Sequence, residues 1–301
     1  MAPLAITDPA LLERQNLSDE DFLEHFLGLM AHFPAREWTP ESFARGLRYP
    51  WHRPSRSYLL EDGGEATLLD ELGAGERAEA LERYAAGRIP LLAFGANVAP
   101  RNLAIKLAHH EAPEDREVLV LAGELHELDV VAVAAVSIYG AMAATLAASP
   151  GTSVTAAVML VNATQLTTLT WGEMPYRLGR LGGAPFSVED GIEGLELESP
   201  LAFVSRWGAF APDGVPVPLA AIPGRHRRAE PWTQRALLDR AAGIVLGPDA
   251  DAEALTRAIH ADPVAAAARA IPALRAHAQP FDWPDWMPLA PNGTLPTGPG
   301  A

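Results

Sequence analysis

The sequence predicts an α+β fold in which helices flank one compact run of short strands. Apolar residues recur at helical spacing near both ends of the chain, whereas the middle holds short valine-rich stretches separated by turn residues. Residues 1–87 are therefore predicted to be a helical N-terminal extension, residues 88–279 a strand-rich domain ending in helices, and residues 280–301 a Pro/Gly-rich tail. The end of that tail is predicted to be disordered.

Helix starts are the clearest signals in the N-terminal extension. Ser18 is a favourable N-cap for a helix over residues 18–32, and Thr39, which precedes a proline, marks a second helix start. A third helix is predicted over residues 76–86. The first helix carries an apolar stripe at four-residue spacing, formed by Phe22, Phe26 and Met30.

The middle of the chain is predicted to form the sheet, and the last third returns to helices. Strands are expected at residues 89–94, 118–125, 130–138, 154–161 and 176–181, with a turn at residues 149–151 and a hairpin over residues 201–221. Helices are expected at residues 100–109, 164–170, 232–246, 252–260 and 264–278.

Composition excludes several classes of function. The net charge of -15 argues against nucleic acid or an anionic membrane as the main partner, and the basic strip at residues 225–228 is interpreted as a solvated loop, with an anion site as the alternative. The chain has no cysteine, which excludes thiolate chemistry, and Lys106 is its single lysine, in a plain helical pattern. Residues 130–172 carry no charge, but their Ala, Val and Thr content predicts buried strands rather than a membrane span. Without an export signal, we expect a cytoplasmic protein.

The first candidate site is the segment Phe94, Gly95, Ala96 and Asn97. A predicted strand runs here into a glycine turn and then into a helix start. Such a turn leaves backbone N–H groups that can bind a carboxylate or a developing oxyanion. Strand–glycine–helix turns are common, so an ordinary structural turn is the alternative interpretation.

The second candidate is Glu173, the first charged residue after the uncharged segment. Apolar surroundings favour the protonated form of a carboxyl group, and a carboxyl that exchanges its proton near neutral pH suits acid–base catalysis. A glutamate exposed at a helix end before Pro175 is the alternative.

Together these features resemble the γ-glutamylcyclotransferase family over about residues 88–245. The resemblance lies in the order and spacing of Gly140–Thr145, a Ser-Pro-Gly turn at residues 149–151, Val154, Leu166, Leu169 and Glu173. Upstream, Phe94-Gly95-Ala96-Asn97 takes the place of the family's Tyr-Gly-Ser-Asn loop.

The resemblance implies a small mixed β-barrel with flanking helices and an enzyme without metal or cofactor. Glu173 would be the general acid/base, and Phe94, Gly95, Ala96 and Asn97 would bind the substrate. The substrate would be a small γ-glutamyl amine or peptide, which cyclises to 5-oxoproline and a free amine. Phe94 and Ala96 lack the hydroxyls of the family loop, which puts the substrate in doubt.

Two alternatives stay open. The same barrel can support other amide or amine-transfer chemistry, and a non-catalytic binding module can retain the barrel. The loop that holds Trp51, His52, Arg53 and Arg56 is expected to be a plain surface loop, with the alternative that the N-terminal extension covers the barrel mouth and brings these residues there. The remaining histidine clusters, at residues 109–110 and at residue 126, lack metal-ligand spacing and are interpreted as surface residues.

Overall fold

The computed structural model describes residues 6–189, 197 and 199–294 of the chain, and it has the α+β class that the sequence predicts. The predicted disorder of the extreme C-terminus concerns residues outside this part. The helices are α1 (Pro9–Asn16), α2 (Asp19–Met30), α3 (Pro40–Leu47), α4 (Ala74–Ala85), α5 (Pro100–Leu107), α6 (Ala163–Gly172), α7 (Gln234–Val245), α8 (Ala252–Ala261) and α9 (Pro263–Arg275).

The strands form a large mixed sheet and a small two-stranded ribbon. They are β1 (Tyr58–Leu60), β2 (Ala66–Leu68), β3 (Ile89–Ala93), β4 (Val118–Ala132), β5 (Ala144–Val161), β6 (Tyr176–Leu181), β7 (Phe186–Val188), β8 (Leu201–Ser205), β9 (Ala209–Phe210), β10 (Gly224–Arg225), β11 (Ala278–Gln279) and β12 (Trp286–Pro288). The large sheet runs in the order β12-β6-β8-β3-β5-β4-β1-β2, with β10 beside β5 and β7 beside β4. Only β3 and β8 pair in parallel among these described strands. Among the described residues, the two end strands of this order, β12 and β2, do not pair with each other. The strand pairs therefore do not close into the predicted barrel.

Helices cover both faces of the sheet because successive residues of its central strand point to opposite sides. In β5, Val158 and Leu160 belong to a core shared with α7 and α8, whereas Ala157 and Met159 belong to a core shared with α5 and α6. This double burial explains the long uncharged segment of the sequence. Within the described part of the chain, no helix combines the length and apolarity needed to cross a bilayer.

The predicted helix starts are confirmed. The Ser18 side chain caps α2 by accepting the N–H of Asp21, and Thr39 caps α3 in a reciprocal capping box with Ser42. Phe22 is fully buried and its ring lies 5.6 Å from that of Trp207, so the apolar stripe fixes α2 against the sheet domain.

Three expectations about the strands differ from the structure. The N-terminal extension is not purely helical, because β1 and β2 extend the large sheet through β4, and the tail contributes β12 at its other edge. Residues 118–125 and 130–132 belong to one strand, β4. The return segment of the hairpin predicted over residues 201–221 is not a strand, and it meets β4 through the isolated bridge of Pro218 with Val131.

The Ser-Pro-Gly segment at residues 149–151 does not end a strand, contrary to the predicted turn. It lies within β5, where the register with β4 shifts between His126 and Leu128. Gly151 and Glu127 both take a positive φ there, and the Gly151 N–H donates to the Glu127 carboxylate at 3.2 Å. The extra residues are therefore absorbed by a bulge, which bends the strand pair without ending it.

Candidate functional site

The two predicted parts of the site line one cavity of about 490 Å³. Phe94, Gly95, Ala96 and Asn97 line it from the end of β3, and Glu173 lines it from the end of α6. Its volume lies in the range of small-molecule sites, roughly 300–1,000 Å³. The structure therefore brings together residues that are more than seventy positions apart in the chain.

Glu173 is held at the C-terminal end of α6. Its N–H donates to the Leu169 carbonyl at 2.9 Å, and its own carbonyl accepts the N–H of Tyr176 at 3.1 Å. Pro175 follows two residues later, and proline cannot continue a helix. The helix dipole is negative at this end, so a carboxylate placed here needs a cationic partner.

Lys106 is that partner. Its Nζ lies 2.6 Å from Oε1 of Glu173 and 2.8 Å from Oδ1 of Asn97, and Asn97 Nδ2 donates to the same Oε1 at 3.0 Å. The three side chains form a closed triangle of hydrogen bonds at the cavity wall. Lys106 stands in the last turn of α5, where a cation also interacts favourably with the helix dipole.

The triangle changes the electrostatics that the sequence suggested for Glu173. Its neighbours along the chain are apolar, but an ammonium group lies 2.6 Å from its carboxylate. Two of the three bonds of the triangle go to Oε1, and among the described residues Oε2 has no hydrogen-bond partner. A carboxylate with one oxygen held and the other open can accept a proton from a ligand in the cavity.

Tyr49, from the N-terminal extension, reaches the loop that begins at Phe94. Its buried hydroxyl accepts the N–H of Ala144 at 3.0 Å and lies beside the amide of Ala96. Burial raises the pKa of Tyr49 to about 12, and the two amides oppose that rise. A Cβ on Gly95 would lie 2.7 Å from this hydroxyl, so the approach of Tyr49 requires a glycine.

A second tyrosine lies on the opposite side of Ala144. Tyr176 donates its hydroxyl to the Ala144 carbonyl at 2.9 Å. Its pKa is raised well above the ordinary value, first by burial and then by the neighbouring Tyr49 and Glu173. Tyr49 and Tyr176 thus form hydrogen bonds with the N–H and the carbonyl, respectively, of the buried Ala144. Because their pKa values are raised, both hydroxyls are protonated at neutral pH.

Most of the remaining lining is apolar, with Asn102, Ser137 and Tyr139 among the exceptions. Phe26, Met30 and Phe33, in or just after α2, belong to the N-terminal extension and form what is called here the roof of the cavity. The apolar lining includes Phe26, Met30, Phe33, Leu92, Val133, Ile138, Met174, Phe203, Trp207 and Ile271. A ligand that fills this space needs a large apolar part and one polar end near Glu173.

Of the four residues that the alternative interpretation places at the mouth, only Trp51 lines this cavity. His52, Arg53 and Arg56 line a separate recess. The loop that carries these residues therefore faces two sites instead of one.

The histidines and the basic strip that were interpreted as surface features form hydrogen bonds or ion pairs with other side chains. His110 lies 2.9 Å from the Thr168 hydroxyl, and His126 is bonded to two serine hydroxyls. In the basic strip, Arg225 pairs with Glu124, and Arg227 turns inward to Asp129. In the part of the chain that is described, no three His, Asp or Glu side chains are grouped to hold a metal ion.

Sequence reasoning missed Lys106 and Tyr49. The signal for Lys106 was available, because a chain with a single lysine that places it in a plain helical pattern invites the question of what that lysine pairs with. Tyr49 had no such signal, since only its long-range contact with Ala144 marks it. No family model, curated protein or solved structure matches this chain.

Proposed function

We propose that this protein is a cofactor-independent acyl-transfer enzyme of γ-glutamylcyclotransferase type. Its substrate is a γ-glutamyl amine or peptide, and its products are 5-oxoproline and a free amine. Glu173 is the general acid/base, and the loop from Phe94 to Asn97 binds the glutamyl part of the substrate.

One observation carries the proposal. A carboxylate with an open oxygen, its lysine partner and the turn after β3 all line the same cavity. A general base must lie within hydrogen-bond reach of the proton that it takes, and Oε2 of Glu173 is the oxygen available for this.

The proposed reaction needs only proton transfer and orientation. Glu173 takes a proton from the substrate's α-ammonium, and the resulting amine attacks the γ-carbonyl carbon of the same molecule. A C–N bond forms to close the five-membered ring, and Glu173 passes the first proton to the γ-amide nitrogen as its C–N bond breaks. The ring nitrogen then releases a second proton through Glu173 to the freed amine, so the products are 5-oxoproline with a neutral lactam nitrogen and an ammonium ion. Holding both reacting groups of one molecule close together provides most of the rate enhancement. Lys106, whose Nζ lies 2.6 Å from Oε1, positions the carboxylate.

We also propose that the curved sheet is a divergent barrel of this family. The support comes from the residues that follow β4. There the Ala134 N–H donates to the Gly208 carbonyl at 3.0 Å, and Val133 forms an isolated antiparallel β-bridge with Ala209. These contacts bring the segment after β8 back to the end of β4, and β8 itself pairs with β3. The circuit β3, β5, β4 and the segment after β8 surrounds the apolar space expected inside a small barrel.

The apolar lining points to an apolar leaving group. A hydrophilic peptide would lose its hydration in this cavity without gaining matching hydrogen bonds. We therefore propose γ-glutamyl amides of aromatic or aliphatic amines as the preferred substrates, with the amine among the aromatic side chains of the roof.

The test is product analysis with the purified protein. A panel of γ-glutamyl amides with aromatic, aliphatic and polar amines is incubated with the wild-type protein, and 5-oxoproline is quantified by mass spectrometry. We expect 5-oxoproline from the apolar members, and a loss of about 10²–10⁴-fold in rate for Glu173→Gln, which removes the base and keeps the shape.

Glu79→Gln is the matched control. Glu79 is an exposed residue of α4, a helix that does not line the cavity, so its variant should keep the full rate. Full activity in Glu173→Gln, with both variants folded by circular dichroism, would rule out the assigned role. Glutamate in place of 5-oxoproline would instead indicate amide hydrolysis at the same site.

A non-catalytic binding module is the second candidate, and the Tyr49 hydroxyl favours it. That hydroxyl already lies beside the amide of Ala96, which the family uses for its substrate. In this case the apolar amides bind, as measured by calorimetry, without any product, and Glu173→Gln binds them as tightly as the wild-type protein does.

A further inference from the structure

Arg53 is an anomaly in the electrostatics of this protein. Its Nε is buried and has no hydrogen-bond partner, and within residues 6–189, 197 and 199–294 no carboxylate or carbonyl is bonded to its guanidinium. The chain has 38 acidic residues, and none of those described pairs with this arginine. An arginine desolvated without a partner destabilises the folded state unless a ligand supplies the missing anion.

The other arginines whose buried Nε makes no hydrogen bond provide an internal comparison, and two of these Nε atoms, in Arg116 and Arg227, lie in ion pairs with Asp62 and Asp129. Each of them is held through its other contacts: Arg14 by the Thr170 carbonyl, Arg116 by the His110 carbonyl, Arg206 by the Gln15 carbonyl and Arg227 by the Ile222 carbonyl. Arg53 alone in this set has no such contact among the described residues. Its terminal nitrogens are not among the buried atoms without a partner, so they reach open space.

That open space is a recess, called here the Arg53 recess, lined by His52, Arg53, Ser55, Arg56 and Glu71 among others. Arg56 is paired with Asp70, so its charge is largely compensated. Glu71 adds one negative charge at the wall, whereas the hydroxyl of Ser55 and the ring nitrogens of His52 can donate hydrogen bonds. Arg53 is therefore the uncompensated donor of the recess.

The recess lies behind the turn that follows β3. Arg53 is close enough to Tyr49 and Tyr58 to lower the pKa of both hydroxyls against the larger effect of burial. Tyr58 donates to the Val98 carbonyl at 2.9 Å, and Tyr49 accepts the N–H of Ala144. A charge bound at Arg53 would thus act on two tyrosines that hold the loop of the large cavity.

We propose that the Arg53 recess is a second ligand site, separate from the large cavity, that binds a small oxoanion, phosphate or carboxylate, through the guanidinium of Arg53. The planar fork of a guanidinium matches two oxygens of either anion. The proposal does not depend on the reaction at Glu173, because it concerns different residues and its test is a binding measurement.

Isothermal titration calorimetry and thermal unfolding of the full chain test this site. Sodium phosphate and sodium acetate are titrated separately at constant ionic strength, and sodium chloride serves as the screening control. We expect saturable binding and a rise in Tm with one or both oxoanions but not with chloride. Phosphate alone would identify a tetrahedral ligand, and acetate alone a carboxylate ligand.

Arg53→Met is expected to weaken oxoanion binding about tenfold or more, and Arg53→Lys by less, because lysine keeps the charge and loses the fork. Arg48→Met is the matched control, since Arg48 is an exposed arginine five positions earlier. In buffer without oxoanion, Arg53→Met should be at least as stable as the wild-type protein, whereas a purely structural arginine would lower Tm when removed. Unchanged binding in Arg53→Met, or no saturable binding to the wild-type protein, would overturn the proposal.

Discussion

Among the opposite-charge pairs of the described residues, two have both side chains less than a quarter exposed, and they differ in what surrounds them. Lys106 and Glu173 are 2.6 Å apart with side chains 23% and 18% exposed, and they face a cavity. Arg227 and Asp129 are 3.2 Å apart with side chains 8% and 4% exposed. The first pair leaves a carboxylate oxygen open to a ligand, whereas the second is enclosed by protein.

The enclosed pair has the contacts of a structural element. Arg227 donates to the carbonyls of Leu219 and Ile222, and Asp129 accepts the N–H of Val130 at 2.7 Å. Burial raises the pKa of Asp129, and Arg227 and that N–H oppose the rise. The comparison teaches that a semi-buried charge pair indicates function only when one of its atoms still faces a space that a ligand can fill.

The largest effect on stability is expected at the enclosed pair. Asp129→Ala leaves Arg227 buried without its carboxylate, which should lower the free energy of unfolding by about 3–5 kcal/mol. Urea denaturation followed by circular dichroism measures this. Glu173→Gln, tested beside it, should change the same quantity by less than about 1 kcal/mol, because the side chain is partly exposed in the cavity and glutamine keeps its shape. Equal losses in the two variants would contradict the distinction.

A smaller effect, on rate, is expected at the cavity pair. Lys106→Met should lower kcat/KM for an apolar γ-glutamyl amide about tenfold, equivalent to about 1.4 kcal/mol, because Glu173 loses the group that positions it. Lys106→Arg keeps a cation at this position and should recover part of the loss. An unchanged kcat/KM in Lys106→Met would contradict the positioning role.

The smallest effect is the pH dependence of the enclosed pair. The pKa of Asp129 in the folded protein lies above its ordinary value of 3.8, so the folded state binds this proton more tightly than the unfolded chain does. Its contribution to stability is present below 3.8 and is lost as the pH rises through the raised pKa. Relative to Asp129→Asn, the wild-type protein should therefore lose stability over this window in a pH series of urea titrations. If the wild-type protein instead gained stability relative to Asp129→Asn as the pH rose, the prediction would be wrong.

Much of the fold was predictable because its signals are local. Ser18 and Thr39 cap helices through side-chain bonds to residues three positions away, and β6 occupies the range that its pattern predicts. β1 and β2 were missed because each is three residues long, and β1 is stabilised by pairing with β4, which is far along the chain, while β2 pairs only with β1 among the described strands. The turn predicted at the Ser-Pro-Gly segment was wrong for the same reason, because pairing with the opposite strand decides whether such residues form a turn or a β-bulge.

The candidate site divides in the same way. The sequence by itself determined where a carboxylate ends an uncharged segment and where a strand meets a glycine turn, so Glu173 and residues 94–97 were identifiable. Only the tertiary structure decided that Lys106 pairs with Glu173, that Tyr49 bonds Ala144 beside Gly95, and that Arg53 faces a separate recess. The physical reason is that caps and turns depend on neighbours along the chain, whereas charge pairing depends on which helices and loops pack side by side.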